Sequence, residues 1–113
     1  MSINFATGQY RLDENAKRIL DDQVVPIAKA FGSARLRVEG NTDDTGARAT
    51  NVRLSEQRAR AVADYLASEH GMNRNRFVVV GNGPDKPVDG CAGVTTERCR
   101  AQNRRTDFEL VAN

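Results

Sequence analysis

The alternation of apolar and polar positions divides the chain into six periodic stretches, separated by breaks rich in Gly, Asn and Asp. Ile3 and Phe5 alternate with polar neighbours and predict a short first strand. Leu12, Ala16, Ile19, Leu20, Val24, Ile27, Ala28 and Phe31 recur at helical spacing behind Asp13, a residue suited to capping. They predict a helix over 13–31, bent at Pro26 and ended by Gly32. Leu36 and Val38 alternate with Arg35, Arg37 and Glu39 in a half-exposed second strand. Beyond a polar turn at 40–46, a second helix begins between 48 and 55 and runs to Glu69, closed by Gly71. The continuous apolar run 77–80, bounded by Asn and Gly, predicts an interior strand. A helical turn is expected near 96–101. Thr106, Phe108 and Leu110 then alternate with Arg105, Asp107 and Glu109 in a last strand.

The order β-α-β-α-β-β predicts an α/β (α+β) sandwich, a four-stranded mixed sheet with helices on one face. Charge complementarity orients the last strand. Antiparallel pairing with positions summing to 144 sets Arg35 against Glu109, Arg37 against Asp107 and Glu39 against Arg105, whereas a parallel alignment opposes like charges. The last strand is therefore expected antiparallel beside the second. The carboxyl end of the second strand (40–43), the exit of the third (81–83) and the entry of the last (Asn103, Arg104) then share one sheet edge, the usual ligand position in such folds.

On a helical wheel, Leu54, Ala61, Val62, Tyr65 and Leu66 form one apolar stripe with Arg58 at its centre. A guanidinium there requires an anion, from the protein or from a ligand, because an unpaired buried charge costs several kcal/mol. Asp43 is the nearest candidate in sequence. The pair has two readings at this level, a structural ion pair or a pair held for a ligand. Asp43 is also suited to a simple Asx-turn.

A chain of 113 residues is expected to form one domain, with about two thirds of its unfolded surface buried. A net charge of +2 does not call for a polyanionic partner. With two Tyr, four Phe and no Trp, the sequence lacks the aromatic strand motif that stacks bases, so nucleic acid is not an expected partner. Of the 17 basic residues three are lysines, and the prevalence of arginine suits two-point recognition of carboxylates or reflects a GC-rich genome. Arg98, Arg100, Arg104 and Arg105 read as a solvated basic face, and His70 as a solvated residue at a helix end. Asp43, Glu56 and Glu69 are the available acids and bases, but no nucleophile stands beside the single histidine, so binding is expected rather than catalysis. No cofactor or metal centre is expected either, since the spacing of Cys91 and Cys99 is not that of a zinc site. A local Cys91–Cys99 disulfide is the better reading and points to an oxidising compartment. No apolar run reaches membrane-span length. The opening MSINFATG lacks the regions of a signal peptide, which means cytoplasm unless the chain is a domain excised from a longer protein.

The run VEGNTDDTG, then Asn51, LSEQRARAV, DYL, the GNGPDKP turn and NRRTDFEL together resemble the OmpA-like peptidoglycan-binding domain, related to that of the flagellar stator protein MotB. The resemblance covers nearly the whole chain, 1–113. It implies non-covalent binding of peptidoglycan through the diaminopimelate residue of the stem peptide, and a place in the periplasm, anchoring an outer-membrane or envelope protein to the cell wall. Carried over by motif, the aspartate of the TD turn is Asp43 and the arginine of LSxxRA is Arg58, which hold the amino-acid head group. Asn41, Thr42, Asn51, Asn103 and Arg104 complete the implied ligand-binding set; strand parity points Arg105 outward. The sequence departs from the family where many members have His at Asn41, Tyr at Asn82 and an acidic residue at Thr7-Gly8. A cell-wall hydrolase or a small basic nucleic-acid module are the alternatives.

Overall fold

The computed structural model describes residues 1–111. Strands β1 (Ser2–Asn4), β2 (Arg35–Gly40), β3 (Phe77–Gly81) and β4 (Arg105–Val111) form one sheet in the order β1-β4-β2-β3. β4 runs antiparallel to β1 and β2, while β2 and β3 are parallel. Helices α1 (Glu14–Ile19), α2 (Val25–Ala30), α3 (Arg48–His70) and α4 (Glu97–Asn103) complete the fold. Ile3, Leu36 and Val38 of the sheet meet Leu20, Val24, Val62 and Leu66 of the helices in one apolar core. This is the expected mixed sheet with its last strand antiparallel beside the second.

Three details differ from the sequence reading. The helix over 13–31 is interrupted ahead of Pro26 by a π-helical turn, Leu20–Val24, in which the Val25 amide bonds to the Leu20 carbonyl. Pro26 has no amide to continue the ladder, and the widened turn adds a residue to the helical count. The apolar stripe rotates in consequence. Val25 and Ala28 are buried, whereas Ile27 and Phe31, expected on the inner face, are 44% and 59% exposed. Secondly, β3 is an edge strand paired only with β2; its apolar run is half-buried at every position beneath α3. Thirdly, β2 and β4 pair with positions summing to 146, so Glu39 faces Asp107 rather than Arg105. In this register Leu36 meets Leu110, Val38 meets Phe108 and Gly40 meets Thr106, keeping large apolar side chains together. Burial of those groups outweighs surface ion pairs worth at most about 1 kcal/mol each.

α3 lies close against the sheet. Its buried face is Asn51, Ser55, Arg58, Ala59, Val62, Ala63 and Leu66, one step around from the predicted stripe, with Leu54, Ala61 and Tyr65 at the margin. Small residues decide this. A Cβ at Gly40 would stand 1.7 Å from the Ser55 carbonyl oxygen, and one at Gly81 2.3 Å from Glu56 Cγ. Ser55 Oγ also accepts the Gly83 amide at 2.9 Å, tying the exit of β3 to the helix. The helix stops at Gly71, whose φ of 65° is the left-handed cap that glycine adopts without strain.

Candidate functional site

The close approach of α3 to the end of β2 carries Arg58 into the interior, where it is 1% exposed. Among the described residues no carboxylate pairs with it. Its Nε donates to the Gln9 carbonyl at 2.7 Å, Nη1 to the Asn41 carbonyl at 2.9 Å and Nη2 to the Ala6 carbonyl at 3.1 Å. The guanidinium also stands 5.2 Å from the centre of the Phe5 ring. Of the five N–H groups of an arginine, three are thus engaged and one on each terminal nitrogen is left for a further acceptor. Burial pulls the Arg58 pKa down to about 10; the charge of Asp43 opposes that shift and Arg104 adds to it. The group remains a cation at neutral pH, desolvated and hydrogen-bonded to three neutral carbonyls, with the Asp43 charge acting on it without a direct bond.

Asp43 sits beside it but is bonded elsewhere, which corrects the expectation that Asp43 and Arg58 pair. Its Oδ1 accepts the Thr45 amide at 2.9 Å, closing the Asx-type turn, and its Oδ2 accepts Arg104 Nη1 at 3.1 Å. Both partners of this ion pair are about nine-tenths buried. Burial pushes the Asp43 carboxyl up, but the Thr45 amide and the Arg104 guanidinium outweigh it and hold it below the ordinary carboxylate range. Arg104 is fixed in turn by the Phe5 carbonyl at 3.2 Å and by Glu97 at 2.9 Å. Glu97 lies in the first turn of α4, which Thr96 caps through the Cys99 amide. The expected Cys91–Cys99 disulfide is present, with Cα atoms 5.5 Å apart, and ties α4 to the preceding turn. From the same helix Arg100 reaches Asp44 at 2.9 Å. The supposed solvated basic face is therefore largely engaged: Arg104 and Arg105 are buried and Arg100 is paired. Arg105 does lie on the outward face of the sheet, but it is covered there, bonding Asp107 and the Lys86 carbonyl. His70, read as solvated, pairs with Asp21 at 2.7 Å beside Tyr65.

Thr42, Asp43, Asn51, Arg58 and Arg104 line one cleft of about 150 Å³, together with Thr7, Gly8, Thr45, Thr50 and Leu54. Asn51 Nδ2 holds the Thr45 carbonyl at 2.9 Å, joining the start of α3 to the turn that carries Asp43. Asn41 and Asn103 are not in the cleft lining. Asn41 is buried behind it, giving its carbonyl to Arg58 and its Oδ1 to Asn82. Asn103 accepts the Val88 amide at 2.8 Å and so organises the loop before α4. The 81–83 exit of β3 gives no residue to the cleft lining but adjoins it from behind, its Asn82 amide bonding the Gly40 carbonyl and its Gly83 carbonyl accepting the Thr42 amide. Sequence reasoning missed the contribution of the 6–9 segment. Backbone carbonyls carry no side-chain signature, and Thr7-Gly8 drew notice only as a departure from the family.

A buried cation with two N–H groups to spare and a carboxylate held as an anion thus stand side by side at one small opening. The model of the OmpA family matches residues 4–104. The chain belongs to the OmpA family. It is 35% identical over 112 residues to the outer membrane porin F of Pseudomonas aeruginosa, a match covering 99% of this chain and 31% of the porin. It is 35% identical over 103 residues to the peptidoglycan-associated lipoprotein of Rhizobium meliloti, covering 91% and 56%. The chain thus spans about a third to somewhat over half of the length of these relatives. Among solved structures, the peptidoglycan-associated lipoprotein of Burkholderia pseudomallei superposes with a TM-score of 0.85 at 29% identity, covering 96% of this chain and 88% of that one.

Proposed function

We propose that residues 1–113 are one module of a longer cell-envelope protein, and that it binds peptidoglycan non-covalently through the diaminopimelate residue of the stem peptide, anchoring its parent in the periplasm to the cell wall. The observation that carries this reading is the desolvated Arg58 at the cleft, which no carboxylate of the described residues pairs. The free end of diaminopimelate bears an ammonium and a carboxylate on one carbon. The carboxylate completes Arg58 by charge-assisted hydrogen bonds, and the ammonium meets Asp43. Arg104 and the Thr45 amide aim the Asp43 carboxylate, while Thr42 and Asn51 hold the turn and the helix start that frame the cleft. The similarity to the peptidoglycan-associated lipoproteins of Rhizobium meliloti and Burkholderia pseudomallei supports the cell-wall partner. An anion bonded on both oxygens is suited to receiving an ammonium, not to abstracting a proton, which favours binding over hydrolysis.

Co-sedimentation with purified diaminopimelate-type sacculi tests the reading. The protein is expected in the pellet with no soluble muropeptide released. Release of fragments supports a hydrolase, and a protein that stays in the supernatant contradicts cell-wall binding.

A further inference from the structure

The sheet leaves one edge incomplete. β4 runs for 7 residues, but β1 pairs only with its start, Ser2 with Asp107, Ile3 with Thr106 and Asn4 with Arg105. One further bond, from the Phe108 amide to the Met1 carbonyl at 3.2 Å, ends the ladder. In an antiparallel pair every second residue turns its N–H and C=O to the same neighbour. Leu110 is therefore the next to face that edge, and among the described residues no strand lies beside it there. At the same edge, between α2 and β4, runs an apolar groove of about 220 Å³ whose lining includes Met1, Val24, Ile27, Ala28, Phe108 and Leu110. Met1 and Ile27 are 54% and 44% exposed in it. Apolar surface beside an unpaired strand edge is a combination that natural proteins cover.

What covers it follows from where the chain enters the sheet. Ile3 is buried in the core and Met1, two residues earlier, lines the groove, so alternate side chains of this strand point inward. Continued backwards at the register that pairs Ser2 with Asp107, the residue before Met1 comes opposite the exposed Glu109, and the one before that comes opposite Leu110, at the groove. We infer that the segment leading into Met1 from the rest of the parent protein is an extension of β1 docked on the free edge of β4. Its backbone completes Leu110, and an apolar side chain two residues before Met1 fills the groove. Covalent attachment makes this pairing intramolecular, which favours it over a separate peptide of the same sequence. The module is then mounted on its parent by a paired strand and does not hang from a free tether. This rests on the reading of residues 1–113 as one module of a longer protein, and not on the ligand of the cleft.

The parent's coding sequence and amide hydrogen exchange followed by NMR test it. The residue two before Met1 is expected to be apolar. A charged residue or a proline there overturns the docked strand alone, whereas a coding sequence that opens at Met1 overturns the module reading together with it. Exchange is then compared between residues 1–113 and the same chain carrying its native upstream segment. The Leu110 amide is expected to exchange about tenfold or more slowly in the longer protein, the scale of burying one aliphatic side chain. Exchanging the apolar upstream residue for aspartate, or Ile27→Asp in a protein verified as folded by circular dichroism, returns the rate to that of residues 1–113 and leaves sedimentation with sacculi unchanged. Equal exchange in the two proteins, or protection that survives both replacements, overturns the inference. Protection of Leu110 in residues 1–113 that rises with protein concentration assigns the edge to a second copy and overturns it as well.

Discussion

Replacing Arg104 by methionine removes the ionic partner of Asp43 while keeping a side chain of similar length. The bond to Asp43 joins two charged groups that are each about nine-tenths buried, a class worth about 1.5–3 kcal/mol. The bond to the Phe5 carbonyl adds about 1 kcal/mol. The contact with Glu97, whose side chain is 74% exposed, adds next to nothing. The variant is therefore expected to lose about 2.5–4 kcal/mol, which in a domain of this size is a fall in Tm of about 10–16 °C. Glu97→Gln, which touches only the exposed end, is expected to melt like the wild type. Differential scanning calorimetry on the three proteins supplies the comparison, and titration with a diaminopimelate stem peptide shows whether the loosened Asp43 binds more weakly. An Arg104→Met protein that melts within about 2 °C of the wild type and binds with unchanged affinity would refute the role given to Arg104.

Gly40→Ala places a methyl group against the Ser55 carbonyl, and since backbone cannot yield as a flexible side chain does, a loss of about 3 kcal/mol or more is expected by urea unfolding. Reduction of Cys91–Cys99 opens a loop of sequence separation 8 and is expected to destabilise by about 2.5 kcal/mol on the chain-entropy account, read as a lower melting temperature in reductant. Asp43, with its pKa depressed, contributes stability and binding above the ordinary carboxylate value and loses both as pH falls through its folded value. Affinity for the stem peptide, followed by titration across pH, is accordingly expected to be flat from about pH 8 to about pH 5 and to fall below about pH 4.

The strands and the long helix were legible because each rests on a periodic run whose burial dominates the energy, whereas the antiparallel direction of the last strand was read from charge pairs whose register the structure does not keep. What escaped reading depended on weaker or longer-range effects. Pro26 announces a missing amide but not how the chain absorbs it, so the π-helical turn and the rotation that exposes Ile27 and Phe31 could not be placed. The register of β4 was misjudged because outward charge pairs are weak beside the Leu36–Leu110 and Val38–Phe108 contacts. Arg58 stood out as a cation on an apolar stripe, yet its partners are the backbone oxygens of residues 6, 9 and 41. Proximity in sequence suggested Asp43 as the partner of Arg58, whereas Asp43 bonds Arg104, 61 positions away.

The claim that Arg58 is kept for a ligand carboxylate meets its most direct test in a pair of stem tripeptides, one ending in diaminopimelate and the other in lysine. The lysine form keeps the terminal ammonium but lacks the carboxylate on the same carbon. Titration of the wild-type protein is expected to favour the diaminopimelate form by about 2–5 kcal/mol, the cost of leaving one partner of a buried charged pair unmatched. Arg58→Met, verified as folded by circular dichroism, is expected to bind both peptides weakly and alike. Equal affinity of the wild type for the two peptides, or a folded Arg58→Met protein that retains the preference, would contradict the account.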